Sequence, residues 1–115
     1  MREPAAMLLV AKLGDEIVGS VIGGWDGWWG NIYRLAVAPE RRRKGIARKL
    51  VAEVSKTLSA KGATRLSALV EHEHRWAMDI WDSLHDLGYV RDPKFARYIA
   101  DMTESNREHP NTEEI

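Results

Sequence analysis

Cysteine is absent from the chain, which excludes disulfide bridges, thiolate metal sites and a cysteine nucleophile together. Neither sign of charge is in excess, because 17 Lys and Arg face 17 Asp and Glu. A dedicated nucleic-acid binder is usually strongly basic, so no nucleic-acid partner is expected. Long apolar runs are also missing. The longest uncharged stretch, Ile17 to Trp25, holds nine residues, against the roughly 20 that a membrane-spanning helix needs. The opening Met1-Arg2-Glu3-Pro4 has none of the apolar stretch of a signal peptide. These absences point to a cytoplasmic protein that makes no membrane contact. What is present is a globular composition: 115 residues, 44% of them hydrophobic, with five tryptophans. That is enough for one domain with a packed core, and too little for two.

Met7 to Leu13 and Glu16 to Trp25 are apolar runs separated only by Gly14-Asp15, the spacing of a tight hairpin. Trp25-Asp26-Gly27-Trp28 supplies a second turn before Trp29 to Val37, where Ile32, Arg34 and Ala36 alternate with Tyr33, Leu35 and Val37. Three strands in an antiparallel meander are predicted. Apolar residues lie on both faces of the second strand, Val18 and Ile22 on one and Ile17 and Val21 on the other, so cover on both sides of the sheet is expected. Beyond Pro39 the period lengthens. Ile46, Leu50, Val54 and Leu58 recur every four residues with Ala47 and Val51 beside them, predicting an amphipathic helix from Gly45 to Lys61 stopped by Gly62. Thr64 to Val70 reads as a buried strand. Trp76, Ile80, Trp81, Leu84 and Leu87 mark a second helix ending at Gly88, and Phe95 to Met102 reads as a last strand. Residues 1–102 are thus expected to form one α+β domain, followed by a polar tail over 103–115.

The segment from Leu35 to Ala47 runs from a strand directly into a helix, whose start presents unpaired N–H groups and about half a positive charge. Gly45 and Ala47 let an anion approach the backbone, and Arg42, Arg43 and Lys44 add positive charge on the rim. A pyrophosphate suits such a turn. Four adjacent cations by themselves fit a solvated basic run at the start of a surface helix better.

The context of that turn is more specific. Arg-x-x-Gly-x-Ala over residues 42 to 47, preceded by Val-x-Pro and followed by Leu50-Val51, resembles the coenzyme A-binding motif of the GNAT superfamily of acyl-CoA-dependent N-acyltransferases. Val21-Ile22-Gly23-Gly24-Trp25-Asp26-Gly27, Tyr33-Arg34-Leu35-Ala36-Val37 and Leu87-Gly88-Tyr89 are similar to a bacterial branch of that superfamily, in the same order. The resemblance implies a GNAT-like fold: the meander, a helix, a parallel strand, a helix and a strand. Family members carry one further strand and two helices ahead of the first strand seen here, so the chain reads as truncated at its N-terminus.

The resemblance also implies acetyl-CoA as cosubstrate. Its pantetheine arm would pair with the strand residues Leu35, Ala36 and Val37, and its pyrophosphate with the amides of Arg42, Arg43, Lys44, Gly45, Ile46 and Ala47. The reaction would move an acetyl group to a primary amine of a small molecule or protein. An amine of pKa about 10.4 is only about one part in two to three thousand neutral at pH 7, so a base is needed. Glu71, ahead of Glu73, is the candidate, with Tyr33 as its partner. The family's proton-donating tyrosine, counted from Ala77, falls on Trp81, whose indole is far too weak an acid. That leaves Tyr89 as substitute. The family's asparagine three residues before the alanine is His74 here. His72 and His74 have no cysteine or spaced carboxylates beside them, and no metal is expected. Trp76 and Trp81 read as core. The alternative function is a CoA-binding or regulatory module with weak or no turnover. Without the preceding strand, uncharged Met7-Leu8-Leu9-Val10 would be an open sheet edge, from which a homodimer is expected.

Overall fold

The two short turns do what their sequences require. In a computed structural model, which describes residues 6–102, β1 (Ala6–Leu13) and β2 (Glu16–Trp25) pair antiparallel from Ala6 opposite Gly24 to Leu13 opposite Glu16. At the second turn the Asp26 carboxylate accepts the amides of Trp28 and Trp29 at 2.9 and 2.7 Å. Those donors, Trp29's first and Trp28's next, hold the Asp26 carboxyl below its ordinary value. The chain then returns as β3 (Gly30–Val37). A short β4 (Leu66–Ala68) adds parallel to β3, giving a four-stranded sheet in the order β1-β2-β3-β4.

The four-residue apolar period becomes α1 (Ile46–Ala60), which lays Ala47, Leu50, Val54 and Leu58 on one sheet face against Val21, Ile32 and Val37, while Val51 is buried as well. Gly23 makes that approach close: a Cβ there would stand 2.5 Å from Val54 Cγ2. The helix ends before Gly62, whose φ is +112°. The second helix is divided. α2 (Arg75–Asp82) is followed by a 3-10 turn over His85–Leu87 that closes at Gly88. This pair lies beside α1, joined to it by a Ser55–Tyr89 hydroxyl contact of 2.6 Å and an Arg48–Asp86 ion pair. No helix among the described residues is long and apolar enough to cross a membrane.

Three expectations change. The sheet is covered on one face only among the described residues: Val18 and Val21 are buried, whereas Ile17, Leu8 and Val10 are exposed. A bulge, where the register slips between Ala11 and Lys12, brings Val18 to the covered side with Val21. The predicted strand Thr64 to Val70 shortens to the three residues that meet β3. The predicted last strand, Phe95 to Met102, is not formed. Phe95, Tyr98, Ile99 and Met102 are exposed, and Tyr98 keeps 95% of its surface. Its composition suits a strand, but a strand exists only through a ladder with a neighbour, and this run has none in the sheet. The tail over 103–115 lies outside the described residues.

Candidate functional site

The parallel pairing of β3 with β4 begins where Gly30 N donates to Arg65 O at 2.9 Å and stops at Ile32 opposite Ala68. β3 continues for five residues, Tyr33 to Val37, held only by β2. On that side the register jumps from Ile22 opposite Tyr33 to Ser20 opposite Ala36, so Arg34 and Leu35 together face Val21. This is a β-bulge, with Arg34 at φ +55°.

The bulge advances the strand's alternation by one residue. Ile32 and Val37 are buried under α1 and Leu35 is half-buried, while Tyr33 and Ala36 are exposed, so the strict two-residue period expected from sequence is broken at Arg34. The backbone changes direction with the side chains. Ala38 N donates to Val18 O at 2.8 Å, which turns Ala38 and Ala36 toward β2 and leaves the backbone groups of Leu35 and Val37 facing the edge that β4 has vacated. The result is a wedge-shaped opening on one wall of which the backbone groups of Leu35 and the amide of Val37 are open, the Val37 carbonyl accepting Arg42 Nε.

At the wide end of the wedge the chain turns into α1. Arg41 N donates to Ala38 O at 2.8 Å and Arg42 N to Pro39 O at 3.3 Å. Arg43 at φ +65° and Gly45 at φ +82° then bend the backbone into the helix. The first helical bond runs from Lys49 N to Gly45 O at 3.1 Å, so the amides of Gly45, Ile46, Ala47 and Arg48 are those the helix leaves unpaired. No side chain caps this end and no acid stands in its first turn. A Cβ on Gly45 would meet nothing within 4 Å. Among the described residues nothing satisfies the donors or the positive end of the helix dipole, and the approach is open.

The cations around the turn divide by their contacts. Arg41 pairs with Glu16 at 3.3 Å and Arg48 with Asp86. Arg42 turns inward: its Nε donates to Val37 O at 3.0 Å and its guanidinium carbon stands 4.2 Å from the centre of the Trp76 ring. Arg43 and Lys44 are exposed and make no ion pair among the described residues. A groove of about 190 Å³ lies against the turn, walled by Gly45, Ala47 and Arg42 on one side and by Trp76, Ile80 and Leu84 on the other. Sequence reasoning gave Trp76 to the core. It does pack there, but its ring is also the platform for Arg42, and helical spacing carries no signal for that contact.

The other predicted residues fall as follows. Tyr33 stands one residue past the last β3–β4 pair and is 48% exposed. Glu71 lies three residues beyond β4, at the same end of the sheet, in an exposed turn where its carbonyl accepts His74 N at 3.1 Å. His74 caps α2: its Nδ1 accepts Ala77 N at 3.2 Å, the task an asparagine performs equally well. Tyr89 is placed elsewhere, against Ser55 in the third turn of α1 and edge-on to Trp81 at 5.1 Å. Burial pushes the Tyr89 phenol up, opposed by the Ser55 bond, which makes it a poorer proton donor than a free tyrosine. Among the described residues, no cluster of His, Asp and Glu is able to hold a metal ion.

Comparison with known proteins adds to this geometry. The family model described as acetyltransferase (GNAT) family matches residues 1–86. An acetyltransferase of Pectobacterium atrosepticum is 37% identical over 78 residues, 68% of this chain and 55% of that protein. One from Sodalis glossinidius is 35% identical over the same shares. The chain thus spans about half the length of the curated relatives it matches. Among solved structures, the aminoglycoside acetyltransferase AAC(6')-Iy, in complex with a bisubstrate CoA analogue, has a TM-score of 0.70 at 15% identity, covering 86% of this chain and 71% of that one. An aminoglycoside acetyltransferase from an uncultured soil sample has a TM-score of 0.68 at 24% identity, covering 86% and 68%. At such identities these structures show the fold alone.

Proposed function

The chain belongs to the GNAT acetyltransferase family, and we propose that it acts as a cytoplasmic N-acetyltransferase, moving an acetyl group from acetyl-CoA to a primary amine of a small molecule or a protein. The observation that carries this reading is the uncapped, acid-free start of α1, set directly beside the open edge of β3. Among the described residues its donor set suits a diphosphate: four unpaired amides, two unengaged cations and no competing carboxylate. Arg43, Lys44 and the amides of Gly45 to Arg48 would hold the diphosphate. The backbone N–H and C=O of Leu35 and the N–H of Val37 would pair with the amide groups of the pantetheine arm, as a neighbouring strand would, while the Val37 carbonyl stays with Arg42. When bound, acetyl-CoA supplies the activated acyl group as a thioester.

The chain's own residues would manage the protons. Glu71, three residues beyond β4, would take the proton from the acceptor ammonium, with exposed Tyr33, at the same end of the sheet, as its partner. A thiol-release assay with acetyl-CoA and a panel of primary amines tests this reading, alongside calorimetry with CoA. Thiol release that depends on the amine supports it. A folded protein that ignores millimolar CoA overturns it. Binding without turnover would instead leave a CoA-binding module.

The proposed assembly is a dimer built on β1. Its outer edge has no strand partner among the described residues, and Leu8 and Val10 are exposed beside it. Light scattering is expected to find two chains per particle, and Leu8→Lys to shift the population to one. A monomer at micromolar concentration refutes it.

A further inference from the structure

Arg42 is the one motif cation that the turn spends on itself. Its side chain reaches back to the Val37 carbonyl, at the end of the unpaired stretch of β3, and its guanidinium lies over Trp76 in the first turn of α2. Three elements meet at this side chain: the strand that offers its edge, the turn that offers its amides, and the second helix. Trp76 is held from its other side by the core, with its ring half-buried. The Trp76 face favours a guanidinium over water at that spot, and so fixes which way Arg42 points.

We propose that Trp76 is a positioning residue for acyl-CoA binding: by holding Arg42 against the Val37 carbonyl it fixes the spacing between the open strand edge and the phosphate turn. The inference rests on the acyl-CoA reading above and adds to it a residue outside the binding motif. Without the ring, Arg42 would be free to leave Val37, and the 38–45 connection would have to be ordered at the moment of binding, which weakens it. Trp76→Leu is accordingly expected to weaken CoA binding by between about twofold and thirtyfold, the range a cation–π contact covers.

The test is calorimetry with CoA on the full chain and on Trp76→Leu, Trp76→Phe, Arg42→Met and the Arg42→Met/Trp76→Leu double variant, with thermal unfolding of each without ligand. Trp76→Phe, which keeps an aromatic face, is expected to bind more tightly than Trp76→Leu. The double variant is expected to bind no more weakly than Arg42→Met alone, because the ring acts through the guanidinium. Additive losses in the double variant, or an unchanged dissociation constant in Trp76→Leu, overturn the proposal. Should Trp76→Leu fail to fold, Arg42→Met and Trp76→Phe decide: unweakened binding by Arg42→Met overturns it. Absence of CoA binding by the unaltered chain overturns the functional reading itself, and this proposal with it.

Discussion

Gly45 separates two roles, turn conformation and the phosphate binding proposed above, that most substitutions in such a turn confuse. Its φ of +82° lies in the left-handed region, and a Cβ there would meet nothing within 4 Å. The penalty for a side chain is therefore conformational, about 1 to 2 kcal/mol. Gly45→Ala should lose that much stability, which for a domain of this size is a fall in Tm of roughly 4 to 16 °C. Gly45→Glu carries the same strain, but its carboxylate sits at a helix start with no other acid in the first turn, where it recovers about 0.3 to 1 kcal/mol. Unliganded, the glutamate variant should be the more stable of the two.

With CoA the order reverses. Ligand at 100 times its dissociation constant stabilises the folded chain by about 2.7 kcal/mol. A carboxylate about 4 Å from a phosphate charge opposes binding by about 4 kcal/mol at an effective dielectric constant of 20. The alanine variant should therefore keep most of the CoA-induced rise in Tm and the glutamate variant should show none at the same CoA concentration. Scanning calorimetry of the three proteins with and without CoA reads both effects. A glutamate variant with an undiminished CoA shift would place the phosphates elsewhere, and an alanine variant as stable as the parent would mean that the left-handed turn is not what Gly45 supplies.

Gly23→Ala should cost about 1 to 3 kcal/mol by overpacking, because the new methyl would stand 2.5 Å from Val54 Cγ2, and chemical denaturation would measure it. Asp26 has its carboxyl held below the ordinary value, so its contribution to stability is complete above the unfolded value of about 3.9 and disappears as pH falls through the lower, folded value. Asp26→Asn should keep the turn, since its amide oxygen still accepts, yet remove that part of the acid dependence; unfolding midpoints from pH 5 to 2 would show it. In Glu71→Gln the transfer rate should fall mainly below pH 8, where the acceptor amine most needs a base, and an unaltered pH–rate profile would remove Glu71 from the mechanism.

The elements that periodicity describes were legible in the sequence, since burial on one face is what periodicity records. Ile46, Leu50, Val54 and Leu58 gave α1 to within a residue or so at each end, and Gly14-Asp15 gave the first hairpin. The shape of the turn before α1 was legible too, because a glycine with positive φ before a helix, and cations beside it, are local properties of consecutive residues. The predicted strand over 95–102 failed for the complementary reason: alternation records a propensity, and a ladder also needs a partner that no local pattern names.

The wedge shows where local pattern stops informing. Tyr33, Leu35 and Val37 look like one face of a strand, and with strict alternation the backbone groups of Leu35 and Val37 would point to the same side as those of Tyr33. One extra residue at Arg34 removes that equivalence. It buries Val37, exposes Ala36 and turns the groups of Leu35 and Val37 to the open edge. A bulge is decided by what the neighbouring strand and helix require, with Val21 opposing two residues at once, so it leaves no mark in the spacing of the strand that carries it. Arg42 follows the same logic. As one letter of a basic run it counts as outward-facing charge, but α2 brings Trp76, 34 residues later, to its face, and that contact holds the side chain against the turn.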